Sequence, residues 1–344
     1  MAEEPRRLSY GMIGLGNISR VHLEAYRRAA HYVRVAAVCD TRRSRAEEVG
    51  GETGASVYTD YRDLLQRPDI DAVDIALPHS LHFEVTRAAF EAGKHVYIEK
   101  PLAPTVEECE SLIRLAKSRN LVLAVAHHGR FVRAYLEAER LLREGALGAP
   151  RLVRTLIYGS ELKYLADPAH WRSRISGSVG GAILDSGPHS MFLLKWLFGE
   201  FDSVRAFTHK LTEISEVEDN AVVAGRFTSG VLFTTQYTFT AEDFFSERLE
   251  IYGSKGTLVI DQLRDPPGIF YHGTNDLKGE PLAGVAFDPS GWKYVAQVAA
   301  AENFAGSLSR REPFLVDTAD AAYAIRVIGK AYESAAQGGQ LLTV

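Results

Sequence analysis

Cys39 and Cys109 are the only cysteines in the chain of 344 residues, and both fall inside segments that read as regular structure. That excludes a disulfide framework and a multi-cysteine zinc site, and leaves two packed thiols. No apolar run reaches the length of a membrane span. Residues 1–8, with Arg6 and Arg7, run into a glycine-rich turn before any signal-length apolar stretch develops. The expectation is a cytoplasmic protein without a membrane partner. Cations are not in excess either: 39 lysines and arginines against 44 acids leave a net charge of -5. That argues against a nucleic-acid partner, which requires clustered cations to displace counterions from phosphates. No internal repeat is visible.

What is present is ordinary globular material, with 46% hydrophobic and 24% charged residues, in a chain longer than one hydrophobic core usually supports. Two domains are expected. Residues 8–13 form a strand candidate, 14–16 a turn, and 21–30 carry helical spacing. A buried-strand run at 33–39 ends in Asp40, followed by a brief helix at 61–66 and a strand at 72–77. A helix at 81–92 closes on Gly93, 95–98 is a strand, 106–118 a helix opened by Thr105, and 121–126 a strand. Alternating strands and helices with short links need a parallel sheet covered on both faces. Residues 1–127 therefore read as a Rossmann-type, doubly wound α/β domain.

The pattern changes in residues 128–344. After a helix at 130–143 come strands at 151–158, 204–210, 221–227, 231–239 and 248–252, with Ser229-Gly230 as a hairpin turn. An apolar helix at 183–198 lies between the first two, and helices at 294–309 and 318–336 close the chain. The expectation is an α+β domain with a large open, mainly antiparallel sheet. The stretch 265–290, rich in glycine, proline and aspartate, reads as a long loop.

Gly14-Leu15-Gly16-Asn17-Ile18-Ser19 matches the dinucleotide fingerprint G-x-G-x-x-G/A, with serine at the third small position, directly after a strand and before a helix. Gly14 permits the tight turn, Gly16 lets a pyrophosphate approach the backbone, and the amides of Asn17 and Ile18 begin the helix that attracts the anion. Asp40 ends the second strand near the ~20-residue offset expected of the acid that binds the adenosine ribose hydroxyls. A carboxylate there repels a 2'-phosphate and favours NAD, whereas Arg42 and Arg43 would neutralise one, so NADP stays open. Arg42, Arg43 and Arg45 also read simply as a solvated helix start.

Further motifs appear in order along the chain. Leu77-Pro78-His79-Ser80-Leu81-His82 precedes Glu99-Lys100-Pro101; then come His170-Trp171-Arg172, Gly180-Gly181, Asp185-Ser186-Gly187-Pro188-His189, Glu218-Asp219-Asn220 and Tyr252-Gly253-Ser254-Lys255-Gly256. With the fingerprint, these resemble the glucose-fructose oxidoreductase, inositol dehydrogenase and MocA family over nearly the whole chain. The resemblance implies a homo-oligomeric (dimeric or tetrameric) NAD(P)-dependent dehydrogenase acting on CH–OH groups of a small polyol or sugar. It implies Lys100, Asp185 and His189 as the catalytic trio, with His189 the acid/base, and Pro78, His79, His82, Glu99 and Lys100 beside the cofactor. Two departures bear on substrate. Phe192 stands where members often have aspartate, and His127-His128 where asparagine is frequent.

The residues themselves allow this chemistry. Oxidising a secondary alcohol needs a hydride acceptor, a base for the hydroxyl proton and a group that steadies the developing alkoxide. Lys100 follows a strand that points at the ligand crevice of an open sheet, although a surface pairing with Glu99 explains it as well. Asp185 and His189 share one helix face at i, i+4, where a carboxylate orients and raises an imidazole; a capping Asp185 beside a packed His189 is the competing reading. Pro188 requires that the helix start close to Asp185 or kink there. His128, Arg130, Trp171 and Arg172 join Lys100, Asp185 and His189 as candidate substrate contacts, with His127-His128 equally readable as a strand end at the domain junction and Trp171 as a packed ring. No metal is expected: the histidine and aspartate spacing matches no zinc motif, and hydride transfer to nicotinamide needs none. Two other functions remain open, a cofactor-recycling sugar epimerase, lyase or glycosidase working through a keto sugar, and a dinucleotide-sensing regulator.

Overall fold

The computed structural model describes residues 7–241, 246–261, 268–273, 280–281, 292–310 and 314–344. Two compact units emerge: Met1–His128 with Lys293–Ala322, and Gly129–Trp292 with Tyr323–Val344. The return of 293–322 to the first unit differs from a single division after residue 127. Residues 1–6 of the arginine-bearing N-terminal stretch lie outside the described set.

The first unit alternates as expected: β1 (Leu8–Ile13), α1 (Asn17–Arg28), β2 (Val33–Cys39), α2 (Arg43–Thr53), β3 (Ser56–Tyr58), α3 (Tyr61–Leu65), β4 (Ala72–Ile75), α4 (His82–Glu91), β5 (His95–Ile98), α5 (Val106–Ser118) and β6 (Leu123–Val125). Its six strands run parallel in the order β3-β2-β1-β4-β5-β6. The order reverses at the β1/β4 boundary, the switch point beyond whose carboxyl ends ligands bind in such sheets. Local chemistry sets the boundaries. Thr105 and Glu108 form a reciprocal capping box on α5, satisfying donors that the first helical turn leaves orphaned. The core joins Tyr10, Met12, Leu23, Tyr26, Val38 and Tyr97 to Phe304, whose ring stacks on Tyr97 at 5.3 Å.

In the second unit come α6 (Arg133–Arg143), β7 (Pro150–Tyr158), α7 (Leu162–Leu165), α8 (Ile175–Ser178), α9 (Ala182–Phe198), β8 (Phe201–His209), β9 (Asn220–Phe227), β10 (Leu232–Thr238), β11 (Ser246–Gly253), β12 (Gly256–Asp261), β13 (Gly268–Gly273) and β14 (Glu280–Pro281). Then follow α10 (Trp292–Arg310), α11 (Thr318–Ala336), divided between the units, and β15 (Leu342–Thr343). Among the described residues the sheet has nine strands, ordered β14-β13-β12-β11-β7-β10-β9-β8-β15. Every pairing is antiparallel except β7 with β10. The stretch 265–290 is not one loop, because it contains β13 and β14; its other residues lie outside the described set.

Helix α9 covers one face of this sheet, where Ser190 Oγ and Tyr237 OH meet at 2.5 Å. It starts at Ala182, so Pro188 lies inside it, and the Leu184 carbonyl loses its i+4 backbone donor. Ile328 of α11 would sit only 3.1 Å from a Cβ at Gly187, so the missing side chain lets the two helices approach. Among the described residues no helix is long and apolar enough to cross a membrane.

Candidate active site

Five loops of the first unit leave the carboxyl edge of the parallel sheet, and they carry the residues singled out above. After β1, Gly14 adopts φ +89°, and a Cβ there would meet the Ala76 carbonyl oxygen at 2.2 Å. Only glycine satisfies both constraints. Gly16 has open space where its Cβ would be, and α1 begins there without a side-chain cap. Asn17 is exposed, Ile18 half-buried and Ser19 buried, with the serine hydroxyl donating to Gly16 O at 2.7 Å. The serine thus ties the turn together.

After β2, Asp40 accepts from the Leu15 amide at 3.0 Å and the Arg42 amide at 2.9 Å. Burial alone would raise this carboxyl; the amides of Arg42 and Leu15 and the Arg42 guanidinium more than offset it and hold it below the usual range. A charged acceptor beside the glycine turn, with the open approach at Gly16, fits a ribose-bearing dinucleotide. The Arg42 and Arg43 side chains are well exposed, Arg42 beside Asp40 and Arg43 paired with Glu47.

After β4, Pro78 leads into a single turn at His79–Leu81. His79 is buried, and so is His82. The His82 ring faces Pro101 O at 2.5 Å and Leu77 O at 2.9 Å. Both nitrogens lie within hydrogen-bond distance of backbone carbonyls, to one of which a neutral ring donates, so His82 joins the loops after β4 and β5. After β5, Glu99 and Lys100 are half-buried, and Glu99 Oε2 accepts the Lys100 amide at 3.0 Å. Glu99 also lies 3.3 Å from His22 Nε2; burial raises its carboxyl, but His22 and the Lys100 charge hold it below the usual range. After β6, His127 is buried; burial and the Lys100 charge push its imidazole down to about 3 against the pull of Glu99. It is a neutral ring beside two charges. His128 is buried as well, at the start of the single turn His128–Phe131 that follows β6.

The second unit gathers a separate set. Between residues 182 and 194 every side chain is buried except Asp185 and His189, one turn apart on one face. The Asp185 carboxylate accepts from Arg172 Nε at 3.3 Å. Arg172 stacks over Trp171 at 4.5 Å and Tyr164 at 5.6 Å, while His170 stacks on Tyr164 at 4.5 Å. Sequence spacing missed the ion pair, because the residues lie in different elements. Arg130 is placed elsewhere: its guanidinium lies 3.9 Å over Trp196 and 3.6 Å from Glu139. It braces α6 against α9. Phe192 is buried.

The start of α9 is held by a residue that the sequence marks only as part of a motif. Glu218 Oε2 accepts the Gly181 amide and Oε1 the Ile183 amide, each at 3.0 Å, and Oε1 also accepts from Tyr332 OH at 2.7 Å. Tyr332 OH in turn accepts the Leu184 amide at 3.1 Å. Gly181 permits this contact, since a Cβ there would fall 1.8 Å from Glu218 O. Burial pushes the Glu218 carboxyl up, and these hydrogen bonds pull it part of the way back. A second missed group is His22 with Asp74. The one available signal was an aspartate inside the apolar strand 72–77.

Comparison with known proteins covers both units. The family model described as "Oxidoreductase family, NAD-binding Rossmann fold" matches residues 8–127, and the "GFO/IDH/MocA C-terminal domain" matches residues 135–259. Levoglucosan dehydrogenase of Pseudarthrobacter phenanthrenivorans is 30% identical over 297 residues, 75% of either chain. Myo-inositol 2-dehydrogenase of Thermotoga maritima is 28% identical over 262 residues, 74% of this chain and 75% of that one. The structure of a levoglucosan dehydrogenase complex with NADH and levoglucosan aligns with a TM-score of 0.83 at 26% identity, over 98% of this chain and 100% of that one.

Proposed function

Because the chain belongs to the GFO/IDH/MocA family of NAD-binding oxidoreductases, we propose that it moves a hydride between nicotinamide and a ring hydroxyl of a sugar, glycoside or cyclitol. The observation that carries this reading is Asp185 and His189, alone in keeping an accessible edge within a buried stretch of α9. Maintaining two polar groups at an otherwise apolar surface costs packing, and proton handling accounts for both residue types. The relatives named for levoglucosan and myo-inositol support a polyhydroxylated ring as the substrate class.

NAD, when bound, supplies the hydride acceptor. The fingerprint turn would hold its pyrophosphate at the start of α1, and Asp40 would take the ribose hydroxyls. His189 accepts the hydroxyl proton as the carbon gives up its hydride, and returns one in the reverse direction. Lys100 donates a hydrogen bond to the substrate oxygen as negative charge grows on it. Asp185, paired with Arg172, anchors the polar edge on which His189 stands, and the half-buried Trp171 offers the apolar face of a sugar ring a surface. His82 positions the loops beside the cofactor.

The far side of the second-unit sheet exposes two apolar groups: Leu152 with Leu232 and Tyr252, and Phe207 with Val222, each adjacent in register. Exposed apolar groups on a sheet face support self-association into a dimer or tetramer, which sedimentation tests directly.

The test of function is a fluorescence titration with NADH and NADPH, followed by a panel of sugars, glycosides, cyclitols and their keto forms. Substrate-dependent gain or loss of reduced nicotinamide, abolished in Lys100→Met and His189→Ala, is the expected result. Unchanged turnover in both variants refutes the residue roles. Substrate conversion without net change in NADH replaces the dehydrogenase reading with internal cofactor recycling.

A further inference from the structure

Asp74 lies within β4, a central strand of the parallel sheet, and its side chain has no exposure. A carboxylate in such a place needs close partners, since an unpaired buried charge is very costly. Tyr26 OH donates to its Oδ2 at 2.6 Å, and His22 Nδ1 lies 2.9 Å from that oxygen and 3.1 Å from Oδ1. His22 is fully buried and rests edge-on against Tyr97, ring centroids 5.2 Å apart. Its other nitrogen, Nε2, lies 3.3 Å from Glu99 Oε1, and Glu99 Oε2 accepts the Lys100 amide. Both nitrogens of one ring face carboxylates, so a neutral imidazole would aim a lone pair at one of them. Burial lowers the imidazole, but Asp74 and Glu99 overcome that and raise it to about 10. The resulting row alternates in sign: Asp74, His22, Glu99, Lys100.

We propose that His22 is a positioning residue for Lys100: bonded through Nδ1 to the buried Asp74 and ion-paired through Nε2 with Glu99, it ties the two carboxylates together, and Glu99 fixes the lysine backbone at the sheet edge. The inference rests on the dehydrogenase reading above. Lys100 carries a long flexible side chain, and its useful reach depends on where the backbone starts. Without the imidazolium, Glu99 would face Asp74 across the space of one ring. Repulsion would drive its carboxylate outward, toward the lysine ammonium, and draw that ammonium away from substrate oxygen.

The experiment compares wild type, His22→Gln and His22→Gln/Asp74→Asn. We expect His22→Gln to lower kcat by roughly 10- to 100-fold, the scale of a small misplacement of a reacting group, while the NADH Kd and substrate KM stay within about threefold. Neutralising Asp74 in that background should restore kcat at least about threefold, because the carboxylate pair no longer repels. A histidine that only packs would give an unchanged kcat with reduced stability, or a double variant worse than the single one; either result overturns the proposal. Should the variants not fold, nitrogen NMR of the wild type decides: a doubly protonated His22 ring at pH 8 is required, and a singly protonated ring refutes it. Absence of wild-type turnover on the whole panel would sink the dehydrogenase reading instead, and the NMR result would still judge His22.

Discussion

Removing the Glu218 carboxylate should loosen the helix that carries Asp185 and His189. In Glu218→Ala the amides of Gly181 and Ile183 lose their side-chain acceptor at the start of α9. Each buried amide left unsatisfied costs ~1–3 kcal/mol, so the pair costs roughly 2–6 kcal/mol. For a domain of ~150–250 residues, ~2–4 °C per kcal/mol converts this to a thermal midpoint roughly 4–24 °C lower. Glu218→Gln should fall between wild type and alanine. It removes a charge that burial disfavours, yet one carboxylate oxygen becomes an NH2 group facing a donor. Tyr332→Phe, which keeps Glu218 but removes the hydroxyl that accepts from Leu184, should cost less than Glu218→Ala. Activity should follow through kcat more than through KM, since the helix start lies one turn before Asp185 and two before His189. Calorimetry and steady-state kinetics on the three variants make the test. A midpoint within 2 °C of wild type for Glu218→Ala would refute the capping argument, and a large drop with unchanged kcat would refute its link to the site.

Three other outcomes are expected. Asp40→Ser should weaken NADH binding by about 10-fold or more, at the ~1.4 kcal/mol per decade of an affinity scale, and improve NADPH binding because the repulsive carboxylate leaves while Arg42 and Arg43 remain; fluorescence titration with both cofactors checks it, and an unchanged preference would remove Asp40 from the ribose site. Gly14→Ala should lower the thermal midpoint sharply through its positive φ and the contact with the Ala76 carbonyl, whereas Gly16→Ala, with nothing near its added methyl, should melt near wild type and lose NADH affinity where that methyl meets a bound pyrophosphate. Stability should also fall on the alkaline side: His22 rises in the folded state from 6.5 to about 10, so its contribution is complete below pH ~6.5 and disappears as pH climbs through about 10. Melting curves of wild type and His22→Gln between pH 6 and 10.5 should converge at the upper end, and parallel curves would contradict the raised imidazole.

Much of the first unit was legible because its signals are local. Gly14, Gly16 and Asp40 form a motif readable within a few residues of the strands they follow, and Thr105 with Glu108 marks the start of α5. The helix at 43–53 and the strand at 56–58 escaped, since α2 buries only Ala46, Val49 and Gly50 and β3 has only three residues. In the second unit the i, i+4 spacing brought Asp185 and His189 to one face, but the proline within α9 could not be reconciled with an uninterrupted helix from spacing alone. Arg172 gave no sign of choosing Asp185, nor Arg130 of choosing Trp196 and Glu139, because side chains on separate elements meet only once the chain is folded.

The amino-acid sequence by itself determined the family, the parallel sheet of the first domain, the dinucleotide fingerprint and the candidate trio of Lys100, Asp185 and His189. Each depends on covalent spacing, on hydrophobic periodicity or on ordered motifs, all of which survive without a fold. Only the tertiary structure decided that α10 returns to pack Phe304 on Tyr97, that His82 clamps two loops, that Glu218 holds the start of α9, and that Asp74, His22 and Glu99 form one buried row behind Lys100. These are choices among partners far apart in the chain. They are made by desolvation, which forces every buried charge and amide to find a neighbour, and only the folded packing determines which neighbours are within reach.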